Sequence, residues 1–248
     1  MATSPHNASS SPPSAPATGA TVEVWTVALD VPSKIVAAAH TILTPAEQHR
    51  AGQFRVAPAR RNYVVAHAAL RRIVADRLSR APGEVNFQNG PHGKPALAAE
   101  LGAHLEFNLS HSGDFALVAA SRTAPVGVDV ERVRAFPDAL AIARRFFTPA
   151  EAAVLSDLSG PEQVTAFFTL WTCKEAVVKG TGQGIAHALS RFEFAWGTPP
   201  ALRSVDGGAK AAEQWSLHSF QPAAGYVAAV AVEASNARFI LREFSWVA

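Results

Sequence analysis

The tetrapeptide TPAE stands at residues 44–47 and again at residues 148–151, 104 positions apart. In each copy Thr is suited to cap a helix, Pro to occupy its first turn and Glu to close a capping box, so each predicts a helix start. A single start of this kind is common, but here the surroundings keep the same offset. VEVWTVALD (22–30), strand-like around Trp25, lies opposite VGVDVERV (126–133) around Asp129, and YVVAHAALRRIV (63–74) lies opposite FFTLWTCKEAVV (167–178). The pattern reads as two copies of strand, short helix and long helix without a gap. It predicts an α+β fold: a pseudo-two-fold repeat of two similar halves, residues 21–124 and 125–248, each a small antiparallel sheet with a packed long helix. A site is expected where the halves meet. The copies differ in chemistry, since Trp25 stands opposite Asp129 and Arg71 opposite Glu175.

Strands are expected at 22–29, 105–109, 115–120, 126–131, 191–195, 214–219 and 226–232, with long helices near 60–79 and 162–179. Polar SVDGGAK (204–210) reads as a hairpin loop. The 248 residues, 48% of them hydrophobic, suffice for a packed core. Cys173 is the lone cysteine, so no internal disulfide forms and a reducing, cytoplasmic setting is expected. Residues 1–20, rich in Ser, Pro and Ala, have no apolar segment of a secretory signal and are expected to be a disordered tail. No apolar run approaches the ~18 residues of a membrane span.

The net charge is only +2, yet Arg50, Arg55, Arg60, Arg61, Arg71, Arg72, Arg77 and Arg80 face the single acid Asp76 between residues 49 and 80. Such a segment binds phosphates, nucleic acid or acidic proteins, or is a solvated helix surface; the composition allows both.

In WTCKEAVVKG (171–180) a helical stripe of Val164, Phe168, Trp171 and Val178 carries a carboxylate, Glu175, in its middle. A buried carboxylate needs a positive partner, and Lys174 and Lys179 flank the stripe. An ordinary ion pair under a helix end would satisfy this pattern. In GVDVE (127–131) strand alternation puts Val128 and Val130 on one face and Asp129 and Glu131 on the other. Two adjacent carboxylates repel unless a cation joins them, and hard oxygen ligands suit Mg²⁺, with Glu175 as a third donor; a solvent-facing strand edge is the simpler alternative. FNLSHSG (107–113) reads as a strand entering a tight turn, where Ser110, His111 and Ser112 offer donors to a phosphate. Ser110 and His111 point to opposite faces, so no Ser/His/Asp triad is formed. KGTGQG (179–184) has the glycine content of a phosphate loop in the wrong order, and Gly180 reads as a helix C-cap.

Taken in order and spacing, GKP (93–95), FNLSHSG, GVDVE and WTCKEAVVKGTGQG (171–184) resemble the motifs of Sfp-type 4'-phosphopantetheinyl transferases, over about residues 43–195. The resemblance implies transfer of the phosphopantetheine arm of coenzyme A to a serine of an acyl or peptidyl carrier protein, with release of 3',5'-ADP. It implies that Asp129, Glu131 and Glu175 hold Mg²⁺ on the pyrophosphate and that Lys179 stabilises charge there. Glu175 would be metal ligand, base or both. Coenzyme A would further meet Ser110 and His111 at phosphate, Lys94 and Pro95 beside the adenine, Lys174, and Arg50 and Arg61 at the 3'-phosphate. Asn62 departs from the family, which has a small hydroxyl residue after that Arg.

Two other readings compete. A Mg²⁺-dependent nuclease would use an Asp, a Glu and a Lys, but with Glu and Lys one residue apart on a strand, whereas Glu175 and Lys179 are a helical turn apart. A noncatalytic coenzyme A-binding or carrier-binding protein of the same fold would tolerate loss of a carboxylate, and all three are present. The expected partners are coenzyme A and a carrier domain, with no nucleic acid and no membrane. One chain supplying both half-sites predicts a monomer.

Overall fold

A computed structural model describes residues 17–90, 94–98, 102, 104–182 and 189–246. In chain order, β1 (Ala17–Thr18), β2 (Thr21–Ala28), α1 (Ser33–Ile42), α2 (Pro45–Gly52), α3 (Ala57–Leu78), β3 (Phe87–Asn89), β4 (Pro95–Leu97), β5 (Glu106–Ser112) and β6 (Phe115–Ser121) build the first half. The second contains β7 (Val126–Arg132), α4 (Ala139–Phe146), α5 (Pro149–Asp157), α6 (Gly160–Thr181), β8 (Phe192–Ala195), β9 (Ala201–Val205), α7 (Ala209–Ala212), β10 (Ser216–Phe220), β11 (Tyr226–Val232), β12 (Ala234–Ser235) and β13 (Arg238–Glu243).

Both TPAE segments form the expected capping boxes, Thr44 with Glu47 at the start of α2 and Thr148 with Glu151 at the start of α5. The offset is not preserved without a gap, however. The long helices α3 and α6 begin 103 residues apart, so by helix position Arg71 corresponds to Lys174 and not to Glu175. The pairing follows that correspondence: Arg71 Nε meets Glu47 at 2.7 Å and Lys174 Nζ meets Glu151 at 2.7 Å. In both halves the cap glutamate is tied to a cation on the long helix.

Strand alternation determines the layers. In β2, Trp25 and Val27 pack toward Val65, Ala69 and Ile73 of α3, while Val22 and Val24 face the other way. In β7, Val126, Val128 and Val130 share a core with Val22, Val24, Leu117 and Ala119. The two sheets, ordered β13-β2-β6-β5 and β10-β11-β7, are thus packed face to face, with α3 covering one outer side and α6 the other. Asp129 and Glu131 lie on the strand face opposite to these valines, as expected.

The first sheet is not purely antiparallel. β13, from the end of the chain, runs parallel to β2, so the C-terminal strand crosses back to the N-terminal half. Its sequence, RFILRE, carries too many charges on an exposed edge to announce itself. Residues 1–16 of the expected tail lie outside the described residues, while β1 pairs with β12. The 204–210 segment is a turn into α7 rather than a hairpin loop, because β9 pairs with β8 and β10 with β11. Among the described residues no helix is long and apolar enough to cross a membrane.

Gly127 and Gly180 mark the closest approach of β7 and α6. A Cβ on Gly127 would run into the Ala176 carbonyl and the Gly180 amide, and one on Gly180 would meet the Trp215 ring at 2.9 Å. Gly180 is therefore a packing glycine inside the last turn; the left-handed residue that ends α6 is Gly182, at φ 68°. Gly127→Ala is expected to cost about 1–3 kcal/mol by overpacking against backbone that cannot yield, read as a lower urea midpoint at unchanged slope.

Candidate functional site

The close packing at Gly127 brings the C-terminal turns of α6 over the polar face of β7. Asp129, 4% exposed, accepts a 2.6 Å bond from Lys179 Nζ and a 2.7 Å bond from Ser110 Oγ on the same oxygen, Oδ1. Its Oδ2 is buried without a partner. Glu131 accepts from Ser112 Oγ at 2.8 Å, and its carboxyl is nevertheless pushed up by burial and by neighbouring Asp129. Glu175, also 4% exposed, is pushed up to about 7 by burial, with Lys179 pulling it down and Asp129 and Glu131 raising it further. The structure thus brings Asp129, Glu131, Glu175 and Lys179 into one electrostatically coupled group, and the buried glutamate of the helical stripe faces β7.

The donor set is hard oxygen, three carboxylates with a single lysine among them and one orphaned buried oxygen, which fits a divalent cation in chemistry. The side chains are not converged on a common point, however. Among the described residues no three His, Cys, Asp or Glu side chains stand close enough to ligate one ion, and the Lys179 ammonium lies on Asp129 Oδ1.

Ser112, in the sequence only a generic donor, and Asn108, unmarked there, join this site. They alternate with Ser110 along β5 and face β7: Val128 N donates to Asn108 Oδ1 at 2.9 Å, and Arg132 N to Ser112 Oγ at 3.2 Å. The polar alternation in FNLSHS was the available signal. His111 points to the other side of β5, its surface open to solvent on one side and its imidazole held below the ordinary range by partial desolvation and by the Lys179 charge.

The remaining sequence candidates are scattered. Lys94 donates to the Val126 carbonyl at 2.9 Å, with its ammonium pushed down by burial, and Pro95 opens β4. Gly93 of the GKP motif and Gln183 and Gly184 of KGTGQG lie outside the described residues. Arg50 donates to Gln53 at 2.8 Å on an exposed surface. Arg61 is paired with Asp30 at 2.5 Å and Asp114 at 3.2 Å. Lys174 corrects the sequence reading outright. It is 0% exposed, bonded to Glu151 and to the Leu189 and Phe192 carbonyls, and so is presented to no ligand. Much of the arginine-rich segment is likewise internal structure: Arg71 is buried against Glu47, and Arg77 pairs with Glu23 and Asp76. Two clefts, of about 690 Å³ beside Trp196 and Phe220 and about 330 Å³ beside Trp25 and Phe244, touch none of Asp129, Glu131 and Glu175.

Comparison with known proteins shows the family. Residues 125–231 match the 4'-phosphopantetheinyl transferase superfamily and residues 31–123 match the 4'-phosphopantetheinyl transferase N-terminal family. The chain belongs to the 4'-phosphopantetheinyl transferase superfamily and is an enzyme of that class, one that transfers phosphopantetheine to carrier proteins. It is 38% identical to the 4'-phosphopantetheinyl transferase HetI of a Nostoc species over 85% of this chain and 87% of that protein. It is 37% identical to the 4'-phosphopantetheinyl transferase psf-1 of Bacillus pumilus over 57% of this chain and 59% of the other. The human L-aminoadipate-semialdehyde dehydrogenase-phosphopantetheinyl transferase is 29% identical over 61% of this chain and 52% of its own length.

Proposed function

We propose that this chain takes the 4'-phosphopantetheine of coenzyme A to a serine of an acyl or peptidyl carrier protein with the help of Mg²⁺, releasing 3',5'-ADP. The observation that carries the reading is the Asp129, Glu131, Glu175 and Lys179 group, three carboxylates and one lysine in a buried setting with an unpartnered oxygen. Asp129, Glu131 and Glu175 would hold the ion; when bound it supplies positive charge to the pyrophosphate oxygens. The serine oxygen forms a bond to the phosphorus that bears the pantetheine arm, and the bond from that phosphorus to the ADP oxygen breaks. Lys179 neutralises charge on the phosphates during transfer. The serine proton goes to a base, for which Glu175, titrating near neutrality, is suited directly or through a water if it is not engaged as a ligand.

Lys94 and Pro95 are assigned to the adenine side, and Ser110, His111 and Arg50 to phosphate. Arg61 can serve the 3'-phosphate only in competition with its two carboxylates. The recurrent order of strand, short helices and long helix supports a pseudo-two-fold ancestry and a monomeric enzyme, and the buried Cys173 thiol suits a cytoplasmic location.

The test is intact-mass spectrometry of an apo carrier protein incubated with coenzyme A, Mg²⁺ and this protein. A gain of one phosphopantetheine, abolished by EDTA and by Glu175→Ala, is expected. Coenzyme A binding without any gain across several unrelated carriers would favour a noncatalytic binding protein.

A further inference from the structure

The departure at Asn62 has a structural counterpart. β5 and β6 are joined through the two-residue loop Gly113–Asp114, with Ser112 paired to Phe115 across it, and Gly113 supplies the positive φ, 55°, that such a loop demands at its first position. Four residues on three elements hold this loop. Asn62 Nδ2 of α3 donates to the Gly113 carbonyl at 2.7 Å, and its own Oδ1 accepts from Arg61 Nε at 3.2 Å, which fixes the orientation of the amide. Arg61 also reaches the Asp114 carboxylate at 3.2 Å. Leu29 N, at the end of the β2 segment, donates to the Asp114 carbonyl at 2.8 Å. From the second half, the Tyr226 hydroxyl of β11 accepts from Asp114 N at 3.1 Å, and it lies so close that any Cβ on Gly113 would collide with it.

One and three residues upstream of this loop, Ser112 and Ser110 of the same strand meet the carboxylates. The strands β5 and β7 are joined by side chains: Asn108 with Val128 N, Ser110 with Asp129, and Ser112 with Glu131 and Arg132 N. A seam made this way has no ladder to hold its register, and a shift of β5 along β7 would detach each serine from its carboxylate.

We infer that Asn62 and Tyr226 are positioning residues: by gripping the Gly113–Asp114 loop from opposite halves they set Ser110 and Ser112 against Asp129 and Glu131. The inference rests on the proposed reading of that carboxylate group as the transfer site. It gives Asn62 a task unlike that of a phosphate ligand, and it gives Arg61 a share in the same grip.

Asn62→Ala and Tyr226→Phe are each expected to lower kcat about five- to twentyfold, with KM for coenzyme A and for the carrier within about twofold. Combined with Ser112→Ala, each is expected to act less than multiplicatively, because both substitutions disturb one contact. The preference for coenzyme A over 3'-dephospho-coenzyme A should be unchanged. Loss of that preference, or a KM rise at constant kcat, would make Asn62 a substrate contact and overturn the inference, as would multiplicative effects with Ser112→Ala. An arm independent of catalysis is hydrogen exchange by mass spectrometry. Asn62→Ala should speed exchange in peptides spanning residues 106–116 while leaving α6 peptides at the wild-type rate. Unchanged exchange at 106–116, or a uniform rise across the chain, would also overturn it. If the wild-type chain modifies no carrier, the functional reading fails by itself, and the exchange arm still decides whether the loop is held in this way.

Discussion

Glu175→Gln is expected to lower carrier modification by about 10²–10³-fold and, in the same molecule, to stabilise the metal-free protein at alkaline pH. Both effects follow from one placement. Burial first, then Asp129 and Glu131, push this carboxyl from an ordinary 4.5 up to about 7, against the opposing pull of Lys179. A group whose pKa is raised by folding adds stability that is fully present below its unfolded value and is lost as pH rises through its folded value. The metal-free wild type should therefore lose stability between about pH 4.5 and pH 7 on account of Glu175. Glutamine has nothing to ionise, so the variant should be the more stable at pH 8, by about 3 kcal/mol, with the gap narrowing toward pH 5. Urea unfolding in EDTA at both pH values measures this. Curves that differ equally at pH 5 and pH 8 would mean that the Glu175 carboxylate is solvated. Addition of Mg²⁺ with coenzyme A should favour the wild type, through ligation that glutamine provides poorly. Stability and activity are then opposed at one atom pair, as expected where repelling carboxylates are held together for a ligand.

Local signals in the sequence are legible where the physics is local. A capping box involves four consecutive residues, and both formed. Strand alternation divided Val128 and Val130 from Asp129 and Glu131, and the wheel position of Glu175 turned it inward. Helix periodicity gives a direction but not the layer that a side chain meets. The single stripe proposed for α6 missed that residues 172–178 are buried all round, because the helix packs on β7 and β11 on one side and on α4, α5 and β8 on another. Lys174, a flank of that stripe by wheel position, is buried for this reason. The arginines near α3 could not be sorted from composition, since their carboxylate partners Asp30, Asp114 and Glu23 are up to 54 residues away. The β5–β7 seam was illegible in a deeper sense. It depends on two edge strands of different sheets meeting, and nothing in either segment announces the other.

Lys174→Met is expected to be among the most destabilising single substitutions in the chain, about 3–5 kcal/mol, because it leaves a buried carboxylate without its cation. Glu151 is 2% exposed and its Oε2 accepts from Lys174, from Thr148 N at 2.8 Å and from Thr148 Oγ1 at 3.0 Å; its Oε1 accepts from Phe194 N at 2.8 Å. Lys174 in turn serves the Leu189 and Phe192 carbonyls and lies over the Phe147 ring at 5.1 Å from its centroid. Burial pushes its ammonium down and Glu151 draws it back up. The pair binds α5, α6 and the β8 strand to one another. Glu151→Ala should cost at least as much as Lys174→Met, since it strips the acceptor from a helix cap and from the Phe194 amide as well. Lys174→Met combined with Glu151→Gln should recover part of the loss: glutamine removes the stranded charge and keeps one acceptor oxygen, enough for the Thr148 or the Phe194 amide but not both, so the two substitutions should be coupled rather than additive. Urea midpoints of the wild type, Lys174→Met, Glu151→Gln and the double variant give the coupling directly. The kinetic outcome separates this role from coenzyme A binding. With an internal ion pair, KM for coenzyme A should stay within about twofold at temperatures where the variant is folded. A tenfold rise in KM with an unchanged midpoint would return Lys174 to the substrate. Lys174 immediately precedes Glu175 on the same helix, so the two lysines flanking that carboxylate divide the work: one pins α6 into the core, and the other, Lys179, stays with Asp129 at the site.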